Sequence, residues 1–115
     1  MNMHVLFVED ETDLRSIVGD ALADFGYEVT LAADGREALD LLGAGAQFTH
    51  IVSDVSMPGG VTGLELASTA LASHPGAKVI IASGYQRSQL PPIPANVHFL
   101  PKPYRIRQLL ALLEA

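Results

Sequence analysis

The chain has 115 residues, enough for one domain and too few for a second, and its 49% hydrophobic and 17% charged content predicts a packed core rather than disorder. It has no cysteine, which excludes a disulfide framework, a thiolate metal site and a cysteine nucleophile. The net charge of −6 disfavours nucleic acid or an anionic membrane as partner.

That charge is unevenly spread. Residues 1–57 hold eleven acids and two bases, a net −9, whereas 58–115 hold two acids and five bases, a net +3. No apolar run reaches the roughly 18–20 residues that span a bilayer. The N-terminus lacks a basic region followed by an apolar stretch and a cleavage site. A cytoplasmic protein is expected, and no internal repeat is visible.

In chain order, His4-Val5-Leu6-Phe7-Val8 is a short apolar run followed at once by acids. Leu14, Ile17, Val18, Ala21, Leu22 and Phe25 then form one helical stripe, with Thr12 or Asp13 as the expected N-cap and Gly26 as the stop. Tyr27-Glu28-Val29-Thr30-Leu31 alternates and reads as an edge strand. A helix is predicted over 35–42, stopped by Gly43. Phe48-Thr49-His50-Ile51-Val52-Ser53 is a third strand, ending at Asp54. A helix over 63–73 ends before Pro75. Lys78-Val79-Ile80-Ile81-Ala82 ends at Ser83-Gly84, and Val97-His98-Phe99-Leu100 ends at Pro101-Lys102-Pro103. Between these last two strands the helical signal fails, because Pro91, Pro92 and Pro94 prohibit a continued helix after one or two turns at 86–90. A final helix is predicted over 104–114, with Ile106, Leu109, Leu110 and Leu113 on one side.

Apolar strands alternating with helices predict an α/β fold: a doubly wound, five-stranded parallel sheet of flavodoxin-like order 2-1-3-4-5. The fourth helix should be short or irregular. In such sheets ligands bind beyond the carboxyl ends of the strands. Those ends carry Glu9, Asp10 and Glu11, then Asp54, then Ser83, then Lys102. Neighbouring strands are about 4.8 Å apart, so Asp10 and Asp54 could share one ion. Oxygen-only ligands favour a hard cation, magnesium first. A lysine and a hydroxyl beside them complete an anion site. The set suits a carboxylate that becomes phosphorylated. Each residue alone has a plainer reading: acids favour helix N-termini, Ser83-Gly84 suits a turn, and Lys102 suits a solvated surface. Their joint placement at the strand ends is what points to chemistry.

Val5-Leu6-Phe7-Val8-Glu9-Asp10-Glu11, Ile51-Val52-Ser53-Asp54-Val55-Ser56-Met57-Pro58, Ile81-Ala82-Ser83-Gly84 and Phe99-Leu100-Pro101-Lys102-Pro103-Tyr104 resemble the receiver domain of two-component response regulators. The resemblance implies that Asp54 is the phosphoacceptor, taking its phosphoryl group from a phosphohistidine on a histidine kinase or phosphotransfer protein. It implies Mg2+ (or Mn2+) held by Asp10, Asp54 and the backbone carbonyl of Ser56, with Glu9 acting through water. Lys102 would pair with the phosphoryl oxygens, Ser83 would move toward them, and Phe99 would turn inward in response. Ser56 and Tyr85 would tune the phosphoryl lifetime. The Lys102–Pro103 bond is expected to be cis.

Three features depart from the common pattern. The first acid is Glu9 rather than Asp. Gly59-Gly60-Val61-Thr62 is one residue longer than usual, as in receivers that are fused to, or work with, hybrid histidine kinases. The proline-broken segment leaves dimerisation through a regular fourth helix unsupported, so a monomer or a weak phosphorylation-dependent dimer is expected. The chain reads as a single receiver over 1–115 without an output domain, stand-alone or excised from a larger protein, and with no direct role on nucleic acid. It would be a signalling module that catalyses only its own phosphoryl transfer and dephosphorylation.

Two other functions compete. An interaction module that keeps the fold without phosphorylation would not need intact Glu9, Asp10, Asp54, Ser83 and Lys102. A magnesium-dependent phosphatase forming an aspartyl phosphate would need a second aspartate where Ser56 stands. The scattered His4, His50, His74 and His98 suit strand-flanking or surface positions better than a zinc site, and Tyr104 suits packing.

Overall fold

The computed structural model describes residues 3–57 and 60–115. Five strands and four helices alternate: β1 (His4–Val8), α1 (Thr12–Asp24), β2 (Glu28–Ala32), α2 (Gly35–Gly43), β3 (His50–Asp54), α3 (Gly63–Ser73), β4 (Lys78–Ser83), β5 (Val97–Pro101) and α4 (Ile106–Glu114). A single 3₁₀ turn, Arg87–Gln89, stands between β4 and β5. All pairings are parallel, in the order β2-β1-β3-β4-β5. This is the predicted topology, with the fourth helix reduced to that turn.

The burial pattern follows the sheet order. β3 is buried at every residue, and β1 and β4 at every residue but the first. Strands covered by helices on both faces must be apolar throughout. The outer strands β2 and β5 carry exposed residues. Successive side chains face opposite sides. Val5, Phe7, Val52, Ile80 and Leu100 pack with Val18 and Leu22 of α1 and Leu109, Leu110 and Leu113 of α4. Leu6, Val8, Ile51, Val79, Ile81 and Val97 pack with Ala38 and Leu42 of α2 and Leu66, Ala67 and Ala70 of α3.

Several boundaries differ from expectation. Neither Thr12 nor Asp13 caps α1: Glu11 stands at the N-cap without a side-chain bond, and Thr12 is already helical. The first-turn acid Asp13 complements the helix dipole instead. Gly26 does terminate that helix, at φ +94°. Gly43 is the last helical residue of α2, not its stop; the positive φ falls at Gly45, after the Ala44 cap. α4 starts at Ile106 because Tyr104 and Arg105 are still extending from the prolines. β2 begins at Glu28 and β3 at His50, so Tyr27, Phe48 and Thr49 lie outside the strands. The lengthened stretch before α3 lies partly outside the described residues, at Pro58 and Gly59.

The segment between β4 and β5 still contributes to the core. Leu90 and Ile93 are partly buried and pack, with Phe99, against the cluster that includes Ile81 and Val97. At the opposite end of the sheet, buried His50 donates Nε2–H to the Leu113 carbonyl at 2.9 Å, and Lys78 Nζ donates to the Leu112 carbonyl at 2.9 Å and to Ala115 O. A β3 and a β4 side chain thereby satisfy carbonyls that the end of α4 leaves without helical partners. No described helix is long and apolar enough to cross a membrane.

Candidate functional site

The carboxyl ends of β1, β3, β4 and β5 converge on one pocket of about 370 Å³. It is lined by Glu9, Asp10, Asp54, Ser56, Ser83, Tyr85 and Lys102, among others. Every sequence-predicted site residue except Phe99 is therefore at this pocket. Phe99 is half-buried on β5, packed on the α2–α3 side of the sheet.

Asp54 closes β3 and is 6% exposed. Glu9, the residue after β1, is 2% exposed, whereas Asp10 is open to solvent. Lys102 Nζ lies 2.5 Å from Asp54 Oδ1 and 3.1 Å from Glu9 Oε1. The cis Lys102–Pro103 bond follows directly. Glu9 Oε2 accepts the Glu11 N–H at 3.0 Å. Carboxylate oxygens of Glu9, Asp10 and Asp54 all lie within 4.8 Å of one another. Among the described residues this is the one group of three or more His, Cys, Asp or Glu placed to hold a metal ion.

The electrostatics follow from two buried acids sharing one lysine. Burial raises the Asp54 carboxyl, Lys102 opposes the rise, and Glu9 adds to it, leaving Asp54 pushed up to about 7. Glu9 goes the other way: burial alone would raise it, but its hydrogen bonds with Asp54, the Glu11 N–H and Lys102 hold it below the usual value. Burial would depress Lys102, and the Asp54 and Glu9 carboxylates outweigh that and raise it. The pocket holds more negative charge than its lysine neutralises. Hard oxygen donors, closely spaced and with surplus negative charge, fit a divalent cation of the Mg2+ type.

Ser83, 4% exposed, closes β4. Its Oγ accepts the Tyr85 N–H at 2.9 Å, so its own proton remains free to donate. Tyr85 and Ser56 are exposed at the rim.

Two contributors, Arg15 and Gly63, escaped the sequence reading. Arg15 Nη1 donates to the Glu9 backbone carbonyl at 2.7 Å, tying the first turn of α1 to the acidic loop. Its position on the α1 flank nearest the loop was the available signal. Tyr104 packs, as expected, against the core cluster that includes Val5, Phe7 and Leu109, and burial raises its hydroxyl pKa well above the ordinary value, with Glu9 and Asp54 adding to the rise. Gly63 lies against the end of β3, where an added Cβ would be 2.0 Å from the Asp54 carbonyl oxygen. The histidines fall elsewhere. His4 meets Thr30 and Glu28, His50 meets Thr49 and Leu113, and His74 meets Ser73 and Ala46.

With this geometry the chain belongs to the response regulator receiver domain family, whose model matches residues 5–114. Receiver domains are signalling modules of two-component systems rather than classical enzymes. They interact with histidine kinases or phosphotransfer proteins and bind Mg2+ at an acidic pocket. The sensor kinase CckA of Brucella abortus is 39% identical over 91% of this chain, and the response regulator receiver protein CpdR of the same organism is 31% identical over 96%. The chain spans 11% of the length of that CckA and 92% of that CpdR. Among solved structures, response regulator TrrA of Thermotoga maritima, in complex with Mg2+ and beryllium fluoride, is similar at a TM-score of 0.83. It is 29% identical, over 97% of this chain and 96% of that one.

Proposed function

We infer that this chain is a phosphorylation-dependent switch in which Asp54 accepts a phosphoryl group from a phosphohistidine. The observation that carries this reading is the placement of Asp54. It ends the central strand with Lys102 Nζ 2.5 Å away and the Glu9 and Asp10 carboxylates within 4.8 Å. The Mg2+ complex of the related TrrA supports the same site use.

Asp10, Asp54 and the Ser56 backbone carbonyl would hold Mg2+ (or Mn2+), with Glu9 reaching it through water. The cation would neutralise charge on the transferring phosphoryl group. The Asp54 carboxylate attacks phosphorus, a new O–P bond forms, and the N–P bond to the donor imidazole breaks. The electron pair stays on the imidazole nitrogen. Lys102 moves its charge from the Asp54 carboxylate to the phosphoryl oxygens. Ser83 donates its free proton to another of those oxygens and draws the segment after β4 toward the site. The space that Ser83 vacates beside β5 lets Phe99 turn inward. Ser56 and Tyr85 flank the route by which water reaches the phosphoaspartate and so set its lifetime.

Incubation with Mg2+ and either a small phosphodonor or a phosphorylated histidine protein should add one phosphoryl group, seen by intact mass and mapped to the peptide holding Asp54. The Asp54→Asn variant should gain nothing. Failure of every donor, the protein donor included, would leave only an interaction module.

A further inference from the structure

Between Glu65 and Glu114 the sequence contains no Asp or Glu, yet it contains Lys78, Arg87, Lys102, Arg105 and Arg107. The fold turns this linear asymmetry into a spatial one. In the order β2-β1-β3-β4-β5, the loops after β1 and β2 carry Glu9, Asp10, Glu11 and Asp34, with Asp13 in the first turn of α1, and the loops after β4 and β5 carry Arg87 and Arg105. All leave the same end of the parallel sheet. Asp54, on the middle strand, sits at the seam between an acidic lip and a basic one.

The basic lip is not explained by stability. Arg87 and Arg105 are exposed, and no described acid lies within ion-pair distance of either. Arg105 stands at the N-cap of α4, where a cation opposes the helix dipole. The first turns of α1, α2 and α3 each carry an acid instead. Arg87 follows the pocket-lining Tyr85 by two residues, and Arg105 follows Lys102 by three. Arg107 lies elsewhere, beside Phe25, Ile106 and Leu110 on the α1 flank.

We propose that Arg87 and Arg105 form a phosphodonor-gathering rim: they attract a dianionic phosphoryl group and bring it to Asp54 over the β4–β5 side, while the acidic lip discourages the opposite approach. The inference rests on Asp54 being the phosphoacceptor. The ligand chemistry is a doubly charged phosphoryl group, carried by a small acyl phosphate or by phosphohistidine. With acetyl phosphate the Asp54 O–P bond forms, the P–O bond to the acetyl group breaks, and acetate leaves with the electron pair. The rim residues make or break no bond. They raise the local donor concentration through their field, which salt screens.

The test compares initial rates of Asp54 phosphorylation at pH 7 with acetyl phosphate, a dianion, and phosphoramidate, a monoanion. At low ionic strength, Arg87→Gln/Arg105→Gln should be about three- to tenfold slower than wild type with acetyl phosphate and less impaired with phosphoramidate. The deficit should vanish at about 0.5 M salt, where the screening length is a few ångströms. Arg87→Lys/Arg105→Lys should restore the rate, Asp13→Asn should raise it, and Arg107→Gln should leave it unchanged. A phosphorylated histidine protein as third donor separates the sources: a deficit confined to that donor overturns the small-anion arm. Equal rates for wild type and the double Gln variant with every donor, while Asp54 is still phosphorylated, overturn the rim alone. Absence of any adduct on wild type overturns the phosphoacceptor reading and the rim with it.

Discussion

Asp54 is buried beside another acid, and the lysine they share cannot serve both fully. Its carboxyl is raised from 3.8 to about 7, so between those values the folded chain keeps a proton that the unfolded chain has lost. The associated stabilisation is complete below pH 3.8 and disappears as pH rises through about 7. Metal-free protein should therefore lose stability to urea from about pH 4 to about pH 7 and level off above that. Asp54→Asn should flatten that slope and exceed wild type at the higher pH by about 1–2 kcal/mol. A wild-type midpoint that does not move over this range would contradict the assignment. Asp54 is then a place where folding tolerates a charge that it would not select for itself, a local inconsistency of the kind expected at functional positions.

At the scale of elements, the junction of β3 with α3 sets how closely the strand ending in Asp54 and its following helix approach. Gly63 opens α3 beneath the Asp54 carbonyl, and any side chain there meets backbone. Gly63→Ala should cost about 1–3 kcal/mol or more by overpacking. Gly76→Ala, with nothing within 4 Å of the added carbon, should be nearly neutral in the same chemical denaturation. Equal midpoints for the two would show that the junction is looser than the contact implies. Strand order, the parallel sheet and the pocket residues were legible because apolar runs such as Val79–Ala82 end abruptly in polar groups. The three prolines at 91, 92 and 94 likewise announced the missing helix. The helix ends were not legible. Thr12 and Gly43 are good cap residues by type, but backbone geometry gave those roles to Glu11 and to the Ala44–Gly45 pair. Arg15 and Gly63 were also hidden, since a side chain reaching a distant carbonyl and a close backbone approach leave no period in the sequence.

For the whole molecule, a ligand that binds only the folded state adds stability by mass action, about 2.7 kcal/mol at one hundred times its dissociation constant. Millimolar Mg2+ should raise the thermal midpoint by about 5–10 °C, a chelator should reverse it, and potassium at matched ionic strength should not reproduce it. Asp10→Asn, at an exposed position, should abolish the shift while leaving the metal-free midpoint near that of wild type. A shift that survives this substitution would place the cation elsewhere.

The segment between β4 and β5 has a consequence for how the molecule can change outline. Its 3₁₀ turn is held by two backbone hydrogen bonds, Gln89 N–H to Gln86 O and Leu90 N–H to Arg87 O. Reshaping a helix would break a whole ladder of such bonds, whereas this segment can rearrange by releasing two and re-seating Leu90 and Ile93. Pro91, Pro92 and Pro94 have no amide hydrogens to protect and leave the chain few alternative conformations. In hydrogen-exchange terms, opening here should lie at the low end of the molecule's free-energy range, below the global value expected for β1, β3 and β4. Fast exchange of the Leu90 amide relative to those of β1, β3 and β4 would show this, and equal protection would contradict it.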